Sequence, residues 1–114
     1  MSIKRGELFW VDLTPSRGSE QSGRRPVLIL QNDLGNALAP TTIIAPLTTK
    51  NFTKEYPTNV TLPKGTAGLK SNSTVLLSQI RTIDKTRLEQ KIGELSDQDV
   101  LRVNRAIEIS LGLR

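Results

Sequence analysis

Arg24-Arg25-Pro26-Val27-Leu28-Ile29-Leu30 is the stretch on which the fold turns. Four aliphatic residues in succession, opened by a proline and stopped by the turn-prone Gln31-Asn32-Asp33, predict a short buried strand. Proline is tolerated at its start because no ladder donor is lost inside the sheet. Upstream, residues 14–24 contain Pro15, several serines, Gly18 and Gly23 and show no periodicity. They predict a long loop, and loops of that length in a compact domain are more often functional than idle. Before it, residues 7–13 mix aromatic and branched side chains at near-alternating positions, the pattern of another strand.

Outward from this pair, further strands are expected at 42–47, 59–62 and 74–80, with a flexible connection at 65–73 and a short returning strand at 91–95. Several short strands at close spacing argue for a small barrel. The C-terminal segment differs in kind. Ser96 followed by Asp99 resembles a capping box, and Asp97 and Asp99 suit the positive end of a helix dipole. Val100, Val103, Ile107 and Leu111 then recur at helical spacing, and Gly112 suits the stop. The expectation is a single domain over residues 1–114, mainly β with a C-terminal amphipathic helix.

Composition narrows the chemistry. The 114 residues include 16 basic and 11 acidic side chains, giving a net charge of +5, and neither cysteine nor histidine. Disulfide frameworks, thiolate nucleophiles, cysteine-ligated zinc, Ser-His-Asp triads and imidazole acid–base pairs are therefore excluded. Chemistry falls to Arg, Lys, Asp, Glu, Ser, Thr or Tyr. A basic balance suits a polyanionic partner and is also an ordinary solubility device. No stretch has the apolar length of a signal peptide or membrane span, so a cytoplasmic location with no membrane association is expected.

Candidate functional residues stand at strand ends. Pro26 restricts Arg25 to extended backbone angles, fixing the direction of its guanidinium, which is either a strand-end arginine paired with Glu20 or a phosphate clamp. Thr48, Thr49 and Lys50 end a second strand with two hydroxyls and a cation. Ser19, Glu20 and Gln21 place polar side chains in the long loop, and residues 78–82 alternate polar and apolar positions. Phe9 and Trp10 must face opposite sides of the first strand, one filling the core. Phe52 and Tyr56, interleaved with Lys50 and Lys54, make either a pinned surface loop or a platform for bases and phosphates. Asp12, Glu20 and Asp33 are not spaced as a shared metal site.

Lys4-Arg5-Gly6-Glu7, Gly18-Ser19-Glu20-Gln21-x-Gly23-x-Arg25-Pro26-Val27-Leu28, Gln31-Asn32-Asp33, Ala45-Pro46-Leu47-Thr48 and Gln79-Ile80-Arg81-Thr82 stand in one order over nearly the whole chain. Together they resemble the MazF/PemK family of bacterial toxin endoribonucleases, the sequence-specific mRNA interferases. The resemblance implies an SH3-like small barrel and a homodimer. It also implies metal-independent cleavage of single-stranded RNA without a cofactor, and inhibition by a cognate antitoxin whose acidic tail occupies the RNA groove. By the same resemblance Arg25 and Thr48 are the catalytic pair, and Ser19, Glu20, Gln21, Asn32 and Gln79 line the RNA groove. Arg24 departs from the small or apolar residue usual there and either adds to RNA binding or pairs locally; Lys50 is a further candidate contact. CcdB-like gyrase poisons, protein-binding relatives of similar fold, are the alternative. They carry a tryptophan in the terminal tail, whereas here the tail is Ser110-Leu111-Gly112-Leu113-Arg114 and the one tryptophan is Trp10.

Overall fold

Val27, Leu28, Ile29 and Leu30 are all buried, at 9% exposure or less. Consecutive burial requires protein on both faces of a strand, and that requirement organises the architecture. The computed structural model describes residues 2–114. Its elements are β1 (Glu7–Asp12), β2 (Arg24–Ile29), α1 (Asp33–Leu38), β3 (Thr41–Thr48), β4 (Asn59–Leu62), β5 (Ser73–Leu76), β6 (Arg81–Asp84), β7 (Leu88–Glu94) and α2 (Asp97–Ser110).

All strand pairings are antiparallel. β2 lies between β1, with Phe9 opposite Val27, and β3, with Pro46 opposite Val27. The other edge of β3 is divided: Thr41–Ile44 pair with β6, while Leu47 and Thr48 pair with Val75 and Thr74 of β5. A single 3-10 turn, Lys85–Arg87, then leads from β6 into β7, which pairs with β1. The order β7-β1-β2-β3-β6 thus rolls into the expected small barrel around Phe9, Val11, Val27, Ile29, Ile44, Ile83 and Leu88. On the other face Leu8, Leu28, Ala45 and Leu47 join Leu62 and Val75 from the β4–β5 extension, with Val103 and Ala106 of α2 laid across them. Fully burying one such aliphatic side chain is worth about 1.5–3 kcal/mol.

Helix α2 starts as its sequence dictates, Asp99 N–H donating to Ser96 Oγ at 3.2 Å. Its packed face departs from expectation: Ala106 is buried while Leu111 is 58% exposed, because the helix ends at Ser110 and Leu111 leaves the stripe. The expected strand at 74–80 stops at Leu76: a 3-10 turn follows at Leu77–Gln79, and a separate strand not expected from the sequence, β6, begins at Arg81, since the chain must change its position along β3 between β5 and β6. Residues 31–33 do more than turn. Asn32 accepts the Gly35 N–H at 2.8 Å and caps the short helix α1. The returning strand begins earlier than expected, at Leu88, because Leu88 completes the barrel core opposite Val11.

Close packing against β7 makes one glycine obligatory. A Cβ at Gly93 would stand 2.1 Å from the carbonyl oxygen of Ala67, itself held at φ 51° in the turn that presses on β7. Gly93→Ala is expected to lower unfolding stability by roughly 1–3 kcal/mol, since the obstacle is backbone and not a flexible side chain. Urea denaturation of the two proteins side by side measures this directly.

Candidate active site

The barrel's mouth lies where β1 ends, β2 begins and β3 ends. Continuing the β2–β3 register by two residues sets Arg25 opposite Thr48, and Thr48 is opposite Thr74 on β5. Alternation along the strands turns Arg25 and Thr48 to the same face as Val27, Ile29 and Ile44. They therefore sit at the rim of the barrel core. Arg25 is half-buried and not fully projected into solvent. Its Nε donates to the Ser22 carbonyl at 2.9 Å and its Nη1 to the Leu47 carbonyl at 3.0 Å. Of the five N–H donors of a guanidinium these use two, and no carboxylate pairs with the group among the described residues. Partial desolvation pushes its pKa below the ordinary arginine value. The result is a fixed cation with donors to spare. Thr48 Oγ1 accepts the Lys50 N–H at 3.2 Å, which orients the hydroxyl and ties the start of the 49–58 segment to the strand end.

Two hollows lie near this pair, one reaching Pro46 of β3 and the other Thr74, the β5 partner of Thr48, though neither is lined by Arg25 or Thr48 themselves. The first, about 680 Å³, has Pro46 and Leu13 beneath it, Ser19, Glu20 and Gln21 of the long loop on one side, and Gln79 and Arg81 on the other. The second, about 960 Å³, runs along β4 and β5 past Thr61 and Thr74, under Lys50, Phe52 and Tyr56, to Arg102 of α2. Lys50 Nζ lies 5.3 Å from the centre of the Phe52 ring, and Phe52 meets Tyr56 edge-on at 6.0 Å. The interleaved aromatic and basic residues of this segment thus form one wall.

The fold brings together Arg25, Thr48, Ser19, Glu20, Gln21, Gln79 and Lys50. Two candidates lie elsewhere. Arg24 alternates to the opposite face of β2, where its Nε bonds Glu89 at 2.8 Å and its guanidinium lies 4.4 Å over the Trp10 ring. Arg24 is thus locally paired, through an ion pair that stays exposed, and faces away from Arg25. Asn32 is beyond the other end of β2, about 20 Å from Arg25 along the strand at the usual rise per residue, and serves as the α1 cap. Phe9 is the core aromatic of its pair and Trp10 the outward one, as alternation requires.

Arg81 and Thr74 were missed. Arg81 pairs with Ile44, so its side chain shares the barrel-facing side and reaches the mouth. The alternation of residues 78–82 was a signal of one wet face, but not of which face. Thr74 gave none. The carboxylates take separate local partners: Asp12 binds Thr14 N–H and Oγ1, which hold its pKa low, Glu20 accepts the Arg17 N–H and Asp33 the Arg5 N–H.

Residues 4–111 match the family described as PemK-like, MazF-like toxin of type II toxin–antitoxin systems. The chain belongs to this toxin family. It is 48% identical over 111 residues to Endoribonuclease MazF of Staphylococcus saprophyticus, covering 97% of this chain and 92% of that one. It is 46% identical over 113 residues to Endoribonuclease EndoA of Bacillus subtilis, covering 99% and 97%. A mycobacterial endoribonuclease solved in complex with its cognate antitoxin superposes with a TM-score of 0.82 at 25% identity, over 98% and 97% of the two chains. The MazF-type fold is thus the one this sequence adopts.

The position of Arg24 within the toxin fold gives a discriminating expectation. Arg24→Ala should cost less than about 1 kcal/mol of stability, as an exposed ion pair and stacked cation do. It should also leave the salt dependence of polyanion binding nearly unchanged, whereas Lys50→Ala should flatten it. Fluorescence titrations at several salt concentrations separate the two.

Proposed function

We propose that this toxin is a sequence-specific endoribonuclease that cleaves single-stranded RNA by attack of the substrate's own 2′-hydroxyl. The observation that carries the reading is Arg25: a half-buried cation without a carboxylate partner among the described residues, held by two backbone carbonyls opposite Thr48 at the strand ends. Support comes also from relatives named as endoribonucleases at 46–48% identity.

The chemistry needs no histidine. The RNA supplies the nucleophile, so the protein's tasks are to set it in line with the scissile bond and to stabilise the charge that develops on phosphorus. A preorganised guanidinium in a partly desolvated site suits the second task, at several kcal/mol. Desolvation that lowers the Arg25 pKa also makes the group a better proton donor to the leaving 5′-oxygen, while an arginine remains a poor base near neutral pH, so the 2′-hydroxyl gives its proton to solvent water and Arg25 regains one from water after the P–O5′ bond breaks. Thr48, with its hydroxyl oriented by the strand end, holds the phosphate or the 2′-hydroxyl in near-attack geometry. Nucleotides on either side occupy the two hollows, one lined by Ser19, Glu20, Gln21, Gln79 and Arg81, the other by Lys50 and the Phe52–Tyr56 pair. No metal or other cofactor is required in this scheme, and the protein works in the cytoplasm.

The proposed partners follow from surface chemistry. A cognate antitoxin with an acidic segment competes for the same cationic mouth; that a mycobacterial endoribonuclease of this fold is solved in complex with its cognate antitoxin supports a partner of this kind. Homodimerisation has a candidate surface. Arg5 bonds Asp33 through its N–H and Asn104 through its Nη2, which draws α1 towards α2. The two helices expose Leu34 and Leu38 at 70% and 77%, and Leu101 at 66%. In light scattering the wild type should run as a dimer and Leu34→Glu with Leu38→Glu as a monomer; a wild-type protein that is monomeric and fully active overturns this partner assignment.

Arg25→Ala and Thr48→Ala are each expected to reduce cleavage by at least about a hundredfold, with unfolding shifted by no more than about 1–2 kcal/mol from the lost backbone hydrogen bonds. Cleavage should continue in excess EDTA and leave a 2′,3′-cyclic phosphate and a 5′-hydroxyl end. A substrate with deoxyribose only on the 5′ side of the scissile bond should bind nearly as well, because affinity rests on many phosphate contacts, yet stay intact. Scission of that substrate at the same bond rules out the 2′-hydroxyl as nucleophile.

A further inference from the structure

The long loop of residues 13–23 is bonded mainly to itself. Its base is closed by Leu13 N–H to the Gly23 carbonyl at 3.0 Å, Ser16 Oγ donates to the carbonyls of Leu13 and Gln21, and Arg17 and Glu20 bond each other. Its tip is joined to the opposite wall of the first hollow through one side chain. Gln79 Oε1 accepts the Gln21 N–H at 2.8 Å, and its Nε2 donates to the Ser19 carbonyl at 3.4 Å, across 58 and 60 residues of sequence. A backbone donor on one side and a backbone acceptor on the other allow only one orientation of the amide. Gln79 is thus spent on the loop backbone and retains one N–H and one lone pair for anything else.

We infer that Gln79 is a positioning residue: it latches the loop tip over the barrel mouth and so sets the width of the hollow that receives the RNA bases. This rests on the proposed nuclease function and refines it, since Gln79 then contributes to substrate binding through the placement of Ser19, Glu20 and Gln21 rather than chiefly by reading a base. The backbones of the catalytic pair are set by strands, and Arg25 Nε holds the loop near its base at the Ser22 carbonyl, so the tip can open while that bond stays. With the amide removed, the loop spends more time open and the substrate must hold it closed, which costs affinity.

The latch is measurable without RNA. In the wild-type protein the Gln21 amide should exchange with solvent more slowly than the amides of Ser19 and Ser22 in the same exposed loop. In Gln79→Met, similar in length and unable to bond, Gln21 exchange should quicken by about fivefold or more, and trypsin should cut the Arg17–Gly18 bond correspondingly faster. Gln79→Glu keeps an acceptor for the Gln21 N–H and should recover most of that protection. On an RNA oligonucleotide spanning one mapped cleavage site, the loss in Gln79→Met should fall on KM more than on kcat. Equal exchange at Ser19, Gln21 and Ser22 in the wild type, or unchanged exchange and proteolysis in Gln79→Met, overturns the latch even if cleavage suffers. Absence of RNA cleavage by the wild type, with the latch intact, instead overturns the nuclease reading alone.

Discussion

Burial of β2 on both faces is the constraint from which the remaining geometry follows. Successive side chains of a strand point to opposite sides, so the run from Val27 to Leu30 feeds two cores at once, one inside the barrel and one under α2. A slip of one residue would exchange the two sets and ruin both. Register is thereby fixed against β1 and β3 together, and with it the position of Arg25, two residues before Val27, and of Thr48, two residues after Pro46. The strand positions of Arg25 and Thr48 are set by hydrophobic packing that lies behind them, and the Arg25 side chain is further held by the carbonyls of Ser22 and Leu47.

The divided edge of β3 has an equally direct consequence. β6 pairs with its first half and β5 with its last two residues, so the strand belongs to the barrel at one end and to the open extension at the other. Arg25 and Thr48 fall at the junction. A hollow opens on each side, one closed over by a self-bonded loop, the other walled by rings and cations, and a strand of nucleotides laid over the junction has room in both directions.

Electrostatically the site depends on what the neighbouring arginine does. Arg24 and Arg25 are adjacent, yet pleating separates their environments. Arg24 is paired with Glu89 and stacked on Trp10, while Arg25 binds carbonyls alone and stays available for an anion. Backbone carbonyls orient a guanidinium without neutralising it, which a carboxylate would do. That difference leaves Arg24 partly neutralised by its ion pair and Arg25 suited to the proposed stabilisation of charge on phosphorus.

The sequence by itself determined the buried strand, the small barrel, the capped terminal helix and the family, and through the family resemblance it offered Arg25 and Thr48 as the proposed catalytic pair. These are legible because they rest on local signals: an unbroken aliphatic run, the proline that restricts Arg25, the Ser96 cap and short motifs in fixed order. Only the tertiary structure decided that residues 73–84 break into two strands, that Leu111 leaves the packed face, that Arg81 reaches the mouth while Arg24 and Asn32 do not, and that Gln79 grips the loop. Each depends on which strand edge a segment meets or which face its pleat presents. Those are relations between residues tens of positions apart, and no local pattern encodes them.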